Sequence, residues 1–556
     1  MSSSATEVYS QKKDTSSGAQ SISVAALEAP VPYDEPDNAE DLAKLGYKQS
    51  FKRQLSLFGV FSVSFSVLGL LPSVAATLSF TMGVVGTPGM VWGWLVAMIF
   101  VECVAASMAE LCSSMPTSGG LYYSAAMLAP KGWGPLASWV TGWSNYIGQL
   151  IGFPSCVYSL SSMILNAVAI QRPSYTVENY QIFLLSLGFV VIFCIMASLP
   201  TKIVGRINSV GTFLNTLFLF ISMIVILASG GHRNGFNKSS DVWGKFNNTT
   251  SWPNGFAVLM SFCGVIWTMM GYDTPFHLSE ECANASVNAP NGIILTSTVG
   301  GLVGWLFQLI IAYTIVDLNA VVSSDNLWDT FLNQVLSKNA AMAIISLTIV
   351  SNFIMSQGVL VASSRIAYSY ARDEVLPFSN YMAMVHPKTK TPIVAVVVNS
   401  VIGLCVIFLV FAGPVTINAV FSVSATAAFV AFTTPVCMRT FFVKDEDFPA
   451  GPWNLGKFSR PIGFVAVCFV LVMIPVLCFP TKSNPTASEM NWTCLVYGVP
   501  MGATLIWYAV SARKWFKGPK VSLDSTGPLN MSIEGVEMPQ ESPISKKMAN
   551  ESEKAY

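Results

Sequence analysis

Twelve runs of mostly apolar residues, each near the length of a bilayer crossing, constrain this chain more than any other feature. A helix rising ~1.5 Å per residue needs about 20 such residues to cross the hydrocarbon core. The runs lie at 55–82, 89–111, 134–169, 181–199, 207–229, 255–278, 292–316, 340–362, 392–411, 415–437, 461–479 and 492–512. The third is long enough that it must tilt or protrude. Hydrocarbon offers backbone groups no partner, so the runs are predicted to be helices. Composition agrees: 52% of residues are hydrophobic and 11% charged, against about 25% charged in soluble proteins. Lys+Arg and Asp+Glu both number 30, and no basic patch is interleaved with aromatics, so no nucleic-acid partner is expected. The 11 cysteines show no zinc spacing and sit mainly in apolar runs, where Cys behaves as a small hydrophobe. Cys494 lies near a loop without an evident loop partner, so no disulfide framework, metal or cofactor is expected.

Residues 1–50 are polar, lack an apolar leader core and read as a disordered cytoplasmic tail, as do 513–556; residues 51–512 form the twelve-span domain. Basic residues orient the spans. Lys48, Lys52, Arg53, Lys131, Lys202, Arg206, Arg365, Arg372, Lys388, Lys390, Arg439, Lys444, Lys457, Arg460 and Arg513 fall on one side if both termini are cytoplasmic. Sequons at Asn237, Asn247, Asn248 and Asn491 then lie on the opposite side as glycosylation candidates. The plasma membrane is the expected location, with vacuolar and endoplasmic reticulum membranes as alternatives.

The sixth run is interrupted by WTMMGYDTPFHLSEE, residues 267–281. Gly and Pro both disfavour a helix interior. Thr274 is a candidate N-cap and Pro275 suits a first helical position. The stretch therefore reads as a half-helix over 255–270, an unwound Gly271–Asp273 and a new helix from 275. Exposed backbone is tolerated at membrane depth only where it lines a cavity, and a carboxylate at mid-span costs about 3 kcal/mol or more, so Asp273 is expected to face the bundle interior. The alternative puts Asp273 at the cytoplasmic end of the span. Glu280 and Glu281 are expected to be solvated. Span one carries a second candidate break, SFSVLGLLPS at 64–73. Breaks at corresponding positions of two halves point to a transporter binding site, which implies two inverted five-helix repeats plus two peripheral helices.

Four motifs carry a family resemblance: the LLP at 70–72, AELCSSMPTSGGLYY at 109–123, GYDTPFHLSEECANASVNAP at 271–290 and ASSRIAYSYARDEVLP at 362–377. On these the chain resembles the amino acid–polyamine–organocation superfamily over about 45–515. It is similar to the fungal amino acid/choline transporter group, whose members include permeases for γ-aminobutyrate, choline, polyamines and thiamine. The resemblance implies substrate between the broken parts of spans one and six, at Ser64, Ser66, Val67, Leu68 and Gly69 and at Trp267, Met270, Gly271, Tyr272 and Asp273, with Trp267 as an outer lid. The family's usual glycine-rich break is here Phe65-Ser66-Val67-Leu68-Gly69.

Asp273 favours a cationic nitrogen, and Trp267, Tyr272, Tyr146 and Phe276 are candidates for cation–π contact or for ordinary packing. The restarted helix offers a positive end to a carboxylate. No Lys or Arg stands mid-span against Asp273 or Glu102, so these are the candidate proton-coupling groups. The expected activity is secondary active, proton-coupled symport of a small amine or amino acid. Ser351, Asn352, Ser356 and Gln357 offer either a sodium site or interhelical hydrogen bonds. Glu110, Arg365, Arg372 and Asp373 are candidates for a cytoplasmic charge latch. A rival reading is a non-transporting nutrient sensor on the same fold. An enzyme is disfavoured: Asp273, His277 and Glu281 have i, i+4, i+8 spacing, but the break is expected to rotate Asp273 out of register.

Overall fold

The computed structural model describes residues 53 and 55–519 apart from 173, 234, 325 and 487–489, with the backbone alone at 414–418. The N-terminal tail and residues 520–556 lie outside the described residues. The described chain is helical, and its single isolated β-bridge joins Leu55 to Cys282. Eleven helices are long and apolar enough to cross a membrane. The twelfth crossing is the sixth, whose apolar helix Asn254–Thr268 stops after 15 residues. Span one comprises Leu57–Leu68 and Leu70–Val85. Trp94–Ser114, Gly134–Gln171, Asn179–Ala197 and Thr201–Arg233 supply spans two to five, and Ala285–Thr314, Lys338–Arg372, Ile393–Ile407 and Pro414–Phe441 supply seven to ten. Ser459–Val476 and Thr493–Trp507 follow as eleven and twelve.

Several helices outrun their apolar stretches. Span eight reaches Arg372 rather than residue 362, because its polar last turns are buried: Ser363, Ser364, Arg365 and Ser369 are all covered by protein. Hydropathy cannot distinguish such a turn from one that meets water.

The packing has the symmetry of two halves. Span one lies against span six and span two against span seven. Span five packs on spans one and eight, and span ten correspondingly on spans six and three. Spans eleven and twelve attach to span ten from outside. The most apolar window of span twelve is only 17% buried, against 83% for span ten, so the last helix is peripheral and span ten is core. The face bearing the loops after spans two, six and eight is called inner below, and the opposite face outer.

Candidate substrate site

Both breaks turn on glycine. Gly69 has φ 48° and ψ 60°, and a Cβ there would lie 2.4 Å from Met355 Sδ. Gly271 has φ 116°, and a Cβ there would lie 2.9 Å from Val67 Cγ1. Left-handed backbone and close approach both exclude a side chain. The breaks meet: Ser64 Oγ donates to the Gly271 carbonyl at 2.8 Å, which also accepts from the Thr274 N–H at 3.1 Å. They differ in extent. Span one is interrupted at one residue, span six over Met269–Asp273. The new helix, Thr274–His277, has four residues, and Asp273 rather than Thr274 precedes it, without a side-chain cap. A 3-10 turn, Ser279–Glu281, follows. So short a helix offers little dipole for a carboxylate. The 16-residue second half of span one, starting at Leu70, is the longer N-terminus at the break.

A cavity of about 50 Å³ lies at this junction. Of the expected residues, Val67, Leu68, Trp267, Met270, Gly271 and Asp273 line it. Ser64 and Gly69 shape the backbone instead. Ser66 is buried with its hydroxyl unpartnered, Tyr272 packs on Phe432 with ring centroids 5.6 Å apart, and the Tyr146 hydroxyl donates to Asn399 Oδ1 at 2.8 Å. Of the rings considered for cation–π contact, only Trp267 reaches the cavity. Sequence reasoning missed Ser73, Gln149, Met355 and Ser424, which also line it. A glutamine inside an apolar run was a legible signal. Gln149 Nε2 donates to Asp273 Oδ2 at 3.1 Å. Asp273 is 1% exposed, and its Oδ1 has no hydrogen-bond partner.

Glu102 stands apart. It is half-buried and accepts from Thr298 Oγ1 at 2.8 Å, outside the cavity lining. In span eight, Asn352 Nδ2 donates to Ser159 Oγ at 3.3 Å and Ser356 Oγ to the Asn352 carbonyl at 2.8 Å, while the polar atoms of Ser351 and Gln357 are buried without partners. Among the described residues, no group of three His, Cys, Asp or Glu could hold a metal ion.

Toward the inner face lies a cluster of charged groups. Glu280 is fully buried, not solvated as expected, because the chain folds back beneath span eight. Its carboxylate accepts from Ser118 Oγ at 2.7 Å and the Ser118 N–H at 3.0 Å, and pairs with Arg372 Nη1 at 3.2 Å. Glu281 is partly buried, its side chain 15% exposed, and lies 3.7 Å from Arg365 Nε. The two arginines therefore meet Glu280 and Glu281. Glu110 accepts instead from the Leu455 N–H at 3.2 Å and from the Ser459 hydroxyl, tying span two to the loop before span eleven. Asp373 is buried beside this region. His277 Nε2 lies 3.6 Å from Asp273 Oδ2. The break therefore leaves these two residues on one face, because Asp273 directly precedes the restarted turn.

Toward the outer face lie aromatic rings. Trp267 meets Phe421 edge-on at 4.9 Å, and Phe80 lies 6.2 Å from Phe421. The outer loops hold their sequon asparagines in backbone contacts. Asn237 Nδ2 donates to the carbonyls of Ala312 at 3.1 Å and Ile315 at 2.7 Å, and Asn248 Nδ2 to that of Trp252 at 2.7 Å. Asn247 Nδ2 reaches only Asn319 Oδ1, at 3.4 Å. Asn491 Nδ2 donates to the carbonyls of Leu477 at 2.9 Å and Phe479 at 3.2 Å. That clamp brings Cys478 against Cys494, supplying the loop neighbour that spacing did not reveal; burial first, and Cys494 second, push the Cys478 thiol up to about 12.

A family model described as amino acid permease matches residues 55–500. An uncharacterized amino-acid permease of Schizosaccharomyces pombe is 66% identical over 505 residues, covering 91% of this chain and 90% of the relative. A putative polyamine transporter of Candida albicans is 45% identical over 87% of this chain and 89% of its own. The GABA-specific permease of Saccharomyces cerevisiae is 33% identical over 87% and 86%. Twelve crossings, paired breaks in spans one and six, and these matches together show that the chain belongs to the amino acid permease family of the amino acid–polyamine–organocation superfamily, a family of transporters rather than enzymes.

Proposed function

We propose that this permease carries a small amine or amino acid, recognised by its cationic nitrogen, in symport with protons. The observation that carries the reading is Asp273: buried, lining the cavity, one carboxylate oxygen held by Gln149 and the other without a partner. A buried acceptor left open is costly unless a ligand completes it. An ammonium group fits it, and the Trp267 face is available for cation–π contact. Neither Lys nor Arg is among the residues lining the cavity, so a substrate cation or a transported proton is the counter-charge this site calls for. For a substrate carboxylate, the second half of span one offers the N–H groups of Leu70 and Leu71 at its start, since Pro72 has none and the Ser73 N–H donates to the Gly69 carbonyl at 2.9 Å. One carboxylate and one helix N-terminus suit a zwitterion such as γ-aminobutyrate. A second reading, a polyamine, is favoured by the 45% identity to the putative polyamine transporter.

The test is uptake of labelled γ-aminobutyrate, putrescine, choline, thiamine and common amino acids into cells expressing the tagged protein, with and without an imposed pH gradient. Saturable uptake of one amine class, enhanced by outside acidity, is expected. A membrane-resident protein that moves none of them supports the sensor reading, and uptake that ignores pH but requires Na⁺ overturns proton coupling. The tag also reports the membrane, for which the plasma membrane is the expectation, with cytoplasmic termini.

A further inference from the structure

We propose that His277 is the coupling group that relays the proton from Asp273 to the inner face. The inference rests on the proton-coupled reading above and adds the route. His277 is 5% exposed. Its Nε2 lies 3.6 Å from Asp273 Oδ2 and 3.1 Å from Asn145 Nδ2, and its Nδ1 3.4 Å from the Ser118 carbonyl.

The surroundings accept both forms of the ring. In the neutral form with the proton on Nδ1, that N–H faces the Ser118 carbonyl, and Nε2 accepts from the Asn145 amide. In the charged form, Nε2–H faces Asp273. A flip of the Asn145 amide then presents Oδ1, which has no partner as placed, to the same N–H. Asn145 also contacts the Tyr370 hydroxyl at 3.0 Å, a group that can donate as well as accept, so the flip leaves that contact intact.

Beyond His277 lies a second, smaller cavity of about 10 Å³, lined by Ser118, His277, Glu280, Glu281, Arg365 and Tyr368. That is close to the room one water needs. The charged groups around the ring are the carboxylates of Asp273, Glu280 and Glu281 and the guanidiniums of Arg365 and Arg372; Tyr368 and Tyr370 add neutral hydroxyls. Asp373, buried at the end of span eight, and Arg53, whose charge reaches Cys282, lie near the same cluster.

The step balances without a co-reactant. Asp273, protonated from the outer side, gives its proton to Nε2. Opening of the inner closure lets Nδ1 release its proton to water. While the site is open, the ring resets through water, Nε2 giving up its proton and Nδ1 taking one, so that one proton has crossed per cycle. A zwitterion brings no net charge, so its transport needs the proton.

The experiment uses the full-length protein in proteoliposomes, with labelled γ-aminobutyrate and labelled choline in parallel. In the wild type, a one-unit pH gradient drives up to about tenfold accumulation at one proton per substrate. That arm tests the symport reading, and a wild type indifferent to the gradient overturns the reading itself. His277→Gln is expected to lose the pH-driven accumulation of γ-aminobutyrate while its own exchange of the same label persists as internal reference. Accumulation by His277→Gln equal to wild type overturns the relay. Asn145→Asp gives a second readout that does not depend on the first variant folding. A carboxylate beside the ring retains its proton, so the alkaline limit of γ-aminobutyrate uptake should move up by about one pH unit or more; an unmoved profile overturns the relay.

Discussion

The cavity is flanked on its inner side by charges and on its outer side by rings, and as closures the two would cost different amounts to open. The inner one joins Glu280 to Arg372 and Ser118, and Glu281 to Arg365, all largely buried. Removing one partner of such a pair strands the other, at about 3–5 kcal/mol. The outer one is Trp267 against Phe421, with Phe80 behind. An aromatic contact contributes about 0.5–1.5 kcal/mol beyond its buried area and can slide without leaving a charge unpaired. Alternating access in this protein is therefore expected to be easy to start from outside and tightly held inside until substrate and proton arrive.

Breaking the inner closure should have the largest effect. In Arg372→Ala, the stranded Glu280 favours opening to water, and the population open to the inner face should rise about 100-fold or more. Cys156 lines the cavity and serves as reporter: in a variant keeping only that thiol, an impermeant maleimide applied from the inner side should label it. Labelling no faster than with Arg372 present would mean the charges are not a closure. Phe421→Ala should raise labelling from the outer side, by about tenfold at most. A larger gain than that of Arg372→Ala would reverse the asymmetry. Raising ionic strength should leave both labelling rates nearly unchanged, because buried pairs are weakly screened; a strong salt response would place the inner pairs in water.

A smaller effect concerns the outer helix Leu327–Val335. Burial raises the Asp329 carboxyl to about 7. A raised carboxyl means that the folded state holds the proton where the unfolded state has lost it. Stability therefore falls as pH rises from about 4 through 7, with the full penalty above 7. Asp329→Asn keeps the contact from Asn326 and should flatten the melting temperature between pH 5 and 8. An unchanged slope would remove Asp329 as its source. The inner face should be unaffected.

The sequence made the crossings legible because hydrocarbon imposes length and apolarity directly. Gly271, Asp273 and Gly69 were legible because Gly, Pro and carboxylate are expensive in a span. The two glutamates were misread for the same reason: local polarity says that a group needs partners, not whether they are water or arginine. Only tertiary folding brings Arg372 to Glu280 across 92 positions of sequence. Gln149, by contrast, stood in plain view within span three and was passed over because it bears no charge. The Thr274 cap failed because the unwound segment ends in αR backbone at Asp273, leaving no extended residue to cap.

The proposed transport cycle depends most on Asp273 as the anchor of a cationic nitrogen. Equilibrium binding of labelled γ-aminobutyrate and choline to purified wild type and Asp273→Asn, at a pH where the carboxylate is ionised, measures this without transport. Loss of a buried charge-assisted contact costs about 2–5 kcal/mol, so both ligands should bind Asp273→Asn at least about 30-fold more weakly. Wild-type affinity for either ligand in that variant would contradict the account.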